Sequence, residues 1–278
     1  MPLDPERLLK LPPIEVRTKI TRRDTILYAL GLGADELPFV YEDVLQALPT
    51  MAVVMGYPGF IWRDPAYGVD WRKLLHGESS LELHARLPAE GDIVGVTCLG
   101  PIFDKGADKG AVLYQRREIY GPQGDHLATL GASLFLRGDG GFGGNSEGQN
   151  PPHKIPNRAP DLALDIATAP NQALNYRLSG DVNPLHIDPE VAAAAGFPKP
   201  ILHGLCTYGV AGRAVLAALC GNEPARLKQL NVRFTSPVFP GETIRTEIWR
   251  EADGCAAFRS TVVDRDVIVL NNGLVEYR

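Results

Sequence analysis

The stretch Tyr176–Gly212, YRLSGDVNPLHIDPEVAAAAGFPKPILHGLCTYGVAG, carries most of the distinctive features of this 278-residue chain. Its opening polar run places Asp181, Asn183 and His186 within six residues of one another. Pro184 interrupts that run, and proline has no N–H with which to continue a helix, whereas aspartate and asparagine favour turns. The pattern therefore predicts a bent loop that brings a carboxylate, an amide and an imidazole together.

Two helices are predicted after this loop. Asp188 before Pro189 is typical of an N-cap followed by proline at the first helical position, and Gly196 ends this short helix. The run from Gly204 to Cys220 is apolar over about four turns and contains a single charge, so we expect a helix that is buried on most sides. Because the first N–H groups of a helix have no acceptor within it, the Gly204 amide would be free to donate to a ligand.

Together, the loop and the start of the second helix would supply an acid, a base and an oxyanion donor for chemistry next to a carbonyl group. A structural alternative stays open for each side chain. Asp181 and Asn183 could act only as turn formers, and His186 could be a loop histidine with satisfied hydrogen bonds.

The string Gly180–His186, GDVNPLH, followed by Leu202-His203-Gly204, resembles the hydratase 2 motif of the MaoC-like (R)-specific enoyl-CoA hydratases. The whole chain is similar to the two-hot-dog hydratase 2 domain of peroxisomal multifunctional enzymes of type 2. Further matches occur in order along the chain: YALGLGAD at 28–35, LPT at 48–50, LLHGE at 74–78, FDKG at 103–106 and GGFGG at 140–144.

The resemblance implies a role for each matching residue. Asp181 and His186 would form the acid/base pair around a water molecule, with His186 favoured as the base, while Asn183 orients the water and the Gly204 amide is the oxyanion donor. The implied reaction is reversible hydration of trans-2-enoyl-CoA to (R)-3-hydroxyacyl-CoA with medium to long acyl chains, and no cofactor besides the CoA of the substrate. The residues that the resemblance places at the substrate are His76, Gly77, Lys105 (or Lys109, because the Asp-Lys-Gly triplet repeats), His203 and Arg233.

The remaining sequence predicts an α+β protein with an internal duplication. Short β-rich runs separated by turns fill residues 80–137 and again 227–278, and each set accompanies a helical block. This pattern agrees with the resemblance, which implies a double hot-dog: two antiparallel sheets that join, each wrapped around a central helix. We expect an N-terminal, acyl-chain-binding unit at 1–137, a linker at 138–160 and a catalytic unit at 161–278.

Composition narrows the classes of partner and compartment. The formal net charge is −5 without a basic cluster, which gives no support for nucleic-acid binding. Four cysteines lack paired spacing, no apolar run approaches the roughly 20 residues that span a membrane, and neither a signal core nor an SKL-like end is present. We therefore expect free thiols, a cytoplasmic location and no membrane association; the resemblance implies a homodimer.

Three alternatives remain at this point. A hot-dog thioesterase would carry a carboxylate on its central helix, but the run 204–220 contains no Asp or Glu. A non-catalytic acyl-CoA-binding protein would have lost a residue of the motif, and none is lost. A metal site built from His186, Asp188 and His203 is the third alternative; because Asp188 is better used as a helix cap, we expect no metal. The segments 28–32 and 48–56 are candidates for an acyl tunnel wall or for plain core.

Overall fold

The computed structural model describes residues 3–278, in which ten strands form one continuous antiparallel sheet with the order β1-β3-β4-β5-β2-β7-β10-β9-β8-β6. Eight of the strands overlap the runs predicted from the sequence, and the two outer strands, β1 and β6, were missed. The strands are β1 (Ile14–Ile20), β2 (Leu74–Leu83), β3 (Gly91–Asp104), β4 (Ala111–Tyr120), β5 (His126–Leu136), β6 (Leu162–Ala167), β7 (Leu227–Phe234), β8 (Thr243–Ala252), β9 (Cys255–Val262) and β10 (Val267–Tyr277).

The two halves of the chain meet where β2 pairs with β7. Leu81 lies opposite Leu230 and Ser79 opposite Val232 in this antiparallel ladder. Backbone hydrogen bonds therefore run without a break from the N-terminal strands to the C-terminal strands. The prediction that two antiparallel sheets join is confirmed.

Short helices and turns accompany the sheet, and one long helix lies in its concavity. The α-helices are α1 (Pro5–Leu9), α2 (Arg22–Gly31), α3 (Leu37–Val40), α4 (Gln172–Tyr176), α5 (Pro189–Ala194) and α6 (Gly204–Cys220). Single 3₁₀ turns lie at 42–44, 49–53, 61–63, 65–67, 71–73, 177–179, 184–186 and 224–226. Among residues 3–278, no helix has both the length and the apolar character needed to cross a membrane.

Helix α6 is the central helix of the C-terminal half, as its apolar sequence predicts. Two glycines let it approach the N-terminal half closely. A Cβ at Gly209 would lie 2.6 Å from Leu32 Cδ2, and one at Gly212 would lie 2.7 Å from Thr50 Cγ2. The helix ends at Gly221, which adopts the left-handed conformation typical of a helix C-terminus.

The N-terminal half contains no equivalent of α6 within the described residues, so the expectation of a central helix in each unit is wrong in detail. The corresponding buried position is occupied by a 3₁₀ turn, Pro49–Val53, whose residues are all buried. The segment Leu48–Gly56 therefore contains a 3₁₀ turn followed by a further turn, and neither an α-helix nor a strand. A single turn fills much less of the sheet's concavity than four helical turns would, and space remains above β2, β4 and β5.

Hydrogen bonds anchor the first part of the glycine-rich segment 138–160. The Asp104 carboxylate accepts hydrogen bonds from the N–H groups of Gly106, Gly141 and Gly143, at 2.8, 2.7 and 2.7 Å. Lys105 donates to the Ser146 carbonyl oxygen and to Gln149 Oε1. These contacts hold the segment against the turn between β3 and β4.

Candidate active site

A cavity of about 730 Å³ lies between the two halves. Asp181, Asn183, His186 and Gly204 line its C-terminal wall, and His76 lines the opposite side together with side chains from β2, β4 and β5. The structure therefore brings together the four residues that the resemblance assigns to catalysis, and one of the five that it assigns to substrate binding.

The motif loop is shaped by its own side chains. Asp181 Oδ1 accepts the Asn183 N–H at 3.2 Å, and Asn183 Oδ1 accepts the Leu185 N–H at 3.2 Å, which caps the 3₁₀ turn Pro184–His186. Both residues are thus turn formers, as the structural alternative proposed. They also line the cavity, and Asn183 still has its NH₂ group available as a donor.

His186 is held as a neutral ring with one free nitrogen. The ring is 8% exposed, and its Nδ1 lies 2.9 Å from the Ile201 carbonyl oxygen. A carbonyl oxygen only accepts hydrogen bonds, so Nδ1 carries the proton and Nε2 has a free lone pair. Burial lowers the pKa of His186, an effect opposed in part by the nearby Asp181 carboxylate and the Ile201 carbonyl. A neutral imidazole with a free nitrogen can accept a proton from water.

His203 does not line the cavity, contrary to the substrate-binding role expected for it. It is 1% exposed and lies behind His186, with the two rings stacked. Its Nε2 donates to the Asp181 carbonyl oxygen at 3.1 Å, whereas its Nδ1 is buried without a partner among residues 3–278. Burial and the neighbouring His186 lower the pKa of His203 to about 3. This ring therefore supports the motif loop from within the core.

Gly204 begins α6, and its N–H is one of the first amides of that 17-residue helix. The positive end of the helix dipole adds to the attraction of this amide for negative charge. A Cβ at Gly204 would lie 3.4 Å from the Phe234 ring, an ordinary van der Waals contact, so the start of α6 packs next to that ring at the cavity wall. The site thus offers an oxyanion the first amide of α6, at a residue that lines the cavity.

His76 completes the cavity wall from the N-terminal half. Its ring packs against Phe234 with centroids 4.7 Å apart, and burial lowers the pKa of His76 to about 4. Its Nε2 is buried without a partner in the described part of the chain. His76 is therefore a neutral ring that has hydrogen-bonding capacity to spare at the cavity.

Three other residues expected at the substrate lie outside the cavity lining. Gly77 occupies an irregularity in the pairing of β2 with β5, where a Cβ would lie 2.7 Å from Ser133 Oγ. Arg233 pairs with Glu78 across the joint between the halves, at 2.6 Å. Lys105 lines a separate shallow depression that also includes Lys109.

Of the two segments suggested for the acyl tunnel, 48–56 contributes Val53 to the lining, whereas Tyr28 at the start of 28–32 is 1% exposed and lies in the core. Sequence reasoning missed Tyr57 and Arg117, which line the cavity from the N-terminal half. Burial and the Asp181 carboxylate raise the pKa of Tyr57 to about 12.

The grouping of metal-ligating residue types differs from the one considered from the sequence. A carboxylate oxygen of Asp181 and one ring nitrogen each from His186 and His203 lie within 4.8 Å of one another. Asp188 is not part of this group, because its carboxylate caps α5 by accepting the N–H groups of Glu190 and Val191. One nitrogen of each ring is already bonded to a backbone carbonyl oxygen.

The sheet arrangement defines the class of protein. A solved structure of a conserved protein from Mycobacterium tuberculosis, described as having a double hotdog fold, superimposes with a TM-score of 0.59 at 13% identity, covering 96% of this chain and 95% of that one. The fold is a double hot-dog.

Sequence comparison gives the family. Residues 152–272 match the family described as "MaoC like domain", and residues 19–138 match the "MFE-2 hydratase 2 N-terminal domain". The chain belongs to the MaoC-like hydratase 2 family. It is 47% identical to 3-hydroxyacyl-thioester dehydratase Y of Mycobacterium tuberculosis (92% of each chain) and 44% identical to probable enoyl-CoA hydratase 2 of Dictyostelium discoideum (95% of this chain, 92% of that one). The crystal structure of a MaoC-like dehydratase from Phytophthora capsici superimposes with a TM-score of 0.90 at 36% identity over 99% of both chains.

Proposed function

We propose that this protein catalyses the reversible hydration of trans-2-enoyl-CoA to (R)-3-hydroxyacyl-CoA. The observation that carries the proposal is the meeting of Asp181, Asn183, His186 and the Gly204 amide on one wall of a single cavity. The relatives named dehydratase and enoyl-CoA hydratase 2 support the same reaction class.

In the hydration direction, a water molecule lies between the Asp181 carboxylate and His186 Nε2, with the Asn183 NH₂ group orienting it. His186 is the favoured base, because its ring lines the cavity, Nε2 is left free by the bond of Nδ1 to Ile201, and burial disfavours the charged form before the reaction. As the base removes a proton, the water oxygen bonds to C3 of the enoyl group, and the electron pair of the C2=C3 bond moves toward the thioester.

The thioester oxygen then carries the developing negative charge, and the Gly204 N–H at the start of α6 stabilises that charge. C2 finally takes up a proton from the acid/base pair, so the net change is the addition of one water molecule. The reverse sequence removes water from a 3-hydroxyacyl thioester at the same site.

We place the acyl chain in the space that the missing N-terminal helix leaves open. The cavity of about 730 Å³ falls within the range of small-molecule sites, and Leu130, Leu134 and Trp62 give it apolar walls. These features support medium to long acyl chains. Four free cysteines support a reducing compartment such as the cytoplasm. We further propose a homodimer, the assembly implied by the resemblance.

The experiment follows the absorbance of the conjugated thioester when purified protein is mixed with trans-2-decenoyl-CoA, and determines the chirality of the product. We expect loss of the enoyl absorbance and formation of the (R)-3-hydroxy product. The variants Asp181→Asn and His186→Ala should each lower kcat by roughly 10²–10⁴-fold, the usual contribution of a positioned acid or base. Asp188→Asn is the control, because Asp188 caps α5 in the same region and should leave kcat near that of the wild type.

Release of free CoA in place of the hydroxy product would overturn the proposal in favour of a thioesterase. The absence of Asp and Glu from α6 argues against that outcome. Binding of enoyl-CoA without any turnover, for every chain length offered, would instead indicate a non-catalytic acyl-CoA-binding protein.

A further inference from the structure

Arg117 is a buried cation in the wall of the cavity, on β4 of the N-terminal half. It is 9% exposed and lines the same cavity as the acid/base pair. Guanidinium groups almost never lose their proton, so the residue carries its positive charge into the protein interior. The acid/base mechanism above makes no use of it.

The charge of Arg117 has no carboxylate partner among residues 3–278. None of the ion pairs among residues 3–278 includes Arg117. Nη2 donates to the Val53 carbonyl oxygen at 2.6 Å, and the guanidinium lies over the Tyr57 ring at 5.2 Å from its centroid. Nε is buried without an acceptor in the described part of the chain. Burying a charge in this way is costly unless something supplies hydrogen bonds and opposite charge.

The pKa of Arg117 also indicates that no carboxylate among residues 3–278 pairs with it. Burial lowers its pKa to about 10, and only the Tyr57 hydroxyl opposes that effect, while no carboxylate of residues 3–278 contributes. Asp181 and Arg117 act on the pKa of Tyr57 in opposite directions, Asp181 raising it and Arg117 lowering it.

A second polar group without a partner lies beside it. Thr97 on β3 is directly opposite Arg117 in the strand register, where side chains on one face of a sheet are neighbours. The Thr97 hydroxyl is buried and has no hydrogen-bond partner among residues 3–278. On the other side, the register places Leu130 of β5 opposite Arg117. Arg117 thus has an unpartnered hydroxyl on one neighbouring strand and an apolar side chain on the other.

We propose that the preferred substrates are thioesters whose acyl chain carries a carboxylate, which Arg117 binds while the enoyl group lies at Asp181 and His186. An arginine and a carboxylate form strong, charge-assisted hydrogen bonds, and the bound carboxylate neutralises the buried cation. This inference rests on the proposed function, because it assigns an acyl group to the same cavity. A purely hydrocarbon chain would leave the charge of Arg117 unpaired.

The test compares ligand binding before turnover. Isothermal titration calorimetry measures the affinity for saturated CoA thioesters of medium-chain dicarboxylic acids, each with one free carboxylate, and of monocarboxylic acids with the same number of carbons. The wild type should bind the dicarboxylic thioester more tightly by about tenfold or more, which corresponds to about 1.4 kcal/mol.

Three variants make the comparison specific. Arg117→Met removes the charge from a side chain of similar length and should abolish the preference, while Arg117→Lys should retain part of it. Arg116→Met is the matched control, because Arg116 is the neighbouring arginine on β4, 66% exposed and paired with Glu118. It should leave the preference unchanged.

Equal affinity of the wild type for both ligand classes would overturn the inference. So would an equal loss of both affinities in Arg117→Met, which would show that Arg117 only anchors the Val53 segment. The same protein samples are then given the matching trans-2-enoyl thioesters. Hydration without a carboxylate preference would refute this inference and leave the proposed function standing, whereas a carboxylate preference without hydration would refute the proposed function alone.

Discussion

The imidazole rings of His186 and His203 stack with their centroids 3.7 Å apart and an angle of 28° between their planes. The ring that faces the cavity is therefore supported by a second ring in the core, which in turn bonds to the backbone of Asp181. The acid/base pair and its support form one packed unit, although His203 itself does not reach the cavity.

Removal of this support should reduce catalysis. We expect His203→Ala to lower kcat by roughly ten- to a hundredfold, because a void behind His186 lets the catalytic ring leave its productive position. His203→Phe keeps an aromatic ring against His186 and loses only the hydrogen bond to the Asp181 carbonyl oxygen, so its loss should be smaller. Steady-state kinetics and thermal melting of both variants make the comparison, and equal losses of kcat would argue against support by stacking.

The pH dependence of the reaction should follow the protonation of His186. Because burial lowers the pKa of His186 below the ordinary value of about 6.5, the neutral form dominates at neutral pH. We expect kcat/KM to be constant from neutral pH down past the ordinary histidine pKa of about 6.5, and to fall only at the lower pH where the native ring takes up a proton. NMR titration of the ring should show a still lower pKa in Asp181→Asn, since the carboxylate favours the charged imidazole. A rise in that pKa would contradict the assignment.

Stability should also decrease on acidification, through the buried neutral histidines. His76 and His203 have native pKa values of about 4 and about 3, against about 6.5 when unfolded. Between these values the unfolded chain binds protons that the native protein does not. The free energy of unfolding should therefore fall as the pH drops below 6.5, by about 2 kcal/mol per histidine at pH 5.

Urea denaturation at pH 7 and pH 5 measures this effect. His76→Phe keeps an aromatic ring against Phe234. In this variant, the difference in the free energy of unfolding between pH 7 and pH 5 should be smaller than in the wild type by about 2 kcal/mol. If this difference in unfolding free energy is the same in the variant and the wild type, His76 is protonated in the native state at pH 5.

Arg233 provides a test of the role in CoA binding that the resemblance implies. Its guanidinium is 42% exposed and bonded to Glu78, which leaves part of it open to a phosphate group. If it binds CoA phosphates, Arg233→Met should raise KM several-fold for enoyl-CoA and leave KM unchanged for the enoyl thioester of pantetheine, which lacks the nucleotide. Glu78→Gln removes the ion pair but not the cation and serves as the control. Equal changes with both thioesters would indicate a structural role.

Chelators should not affect the reaction. The Gly204 amide supplies the donor for the thioester oxygen, and Nε2 of His186 is needed as the proton acceptor, so a cation bound to the Asp181, His186 and His203 group would compete with catalysis. We expect unchanged kcat after dialysis against EDTA, together with inhibition by added Zn²⁺, measured in the enoyl-CoA assay. Loss of activity on chelation that Zn²⁺ restores would refute this mechanism.

The parts of the site that the sequence predicts are those determined locally. Asp181, Asn183 and His186 lie within six residues, and the apolar run that becomes α6 starts at a glycine, so turn and helix rules are sufficient. Strand β1 was missed although its signal is present: apolar residues and Thr18 alternate with Glu15, Arg17 and Lys19, as is typical of an edge strand.

The remainder depends on contacts between distant parts of the chain. The stacking of His203 on His186 and the pairing of Arg233 with Glu78 follow from packing and from the β2–β7 register, neither of which has a local pattern. Arg117 looks like an ordinary strand arginine, and nothing in RRE distinguishes it from the exposed Arg116. Likewise, the 3₁₀ turn Pro49–Val53 packs against α6 where Thr50 meets Gly212, a contact between residues far apart in the chain.

The division of the cavity between the two halves affects how such a protein can diverge. The reacting groups come from one short loop and the start of α6, whereas Arg117 and Gln115 come from a strand of the other half. If the acyl chain lies where we propose, a mutation on that strand would alter which chain is accepted and leave the proposed acid/base residues unchanged. On this proposal, the range of acyl chains could diverge through the N-terminal half while the motif loop and α6 of the C-terminal half stay the same.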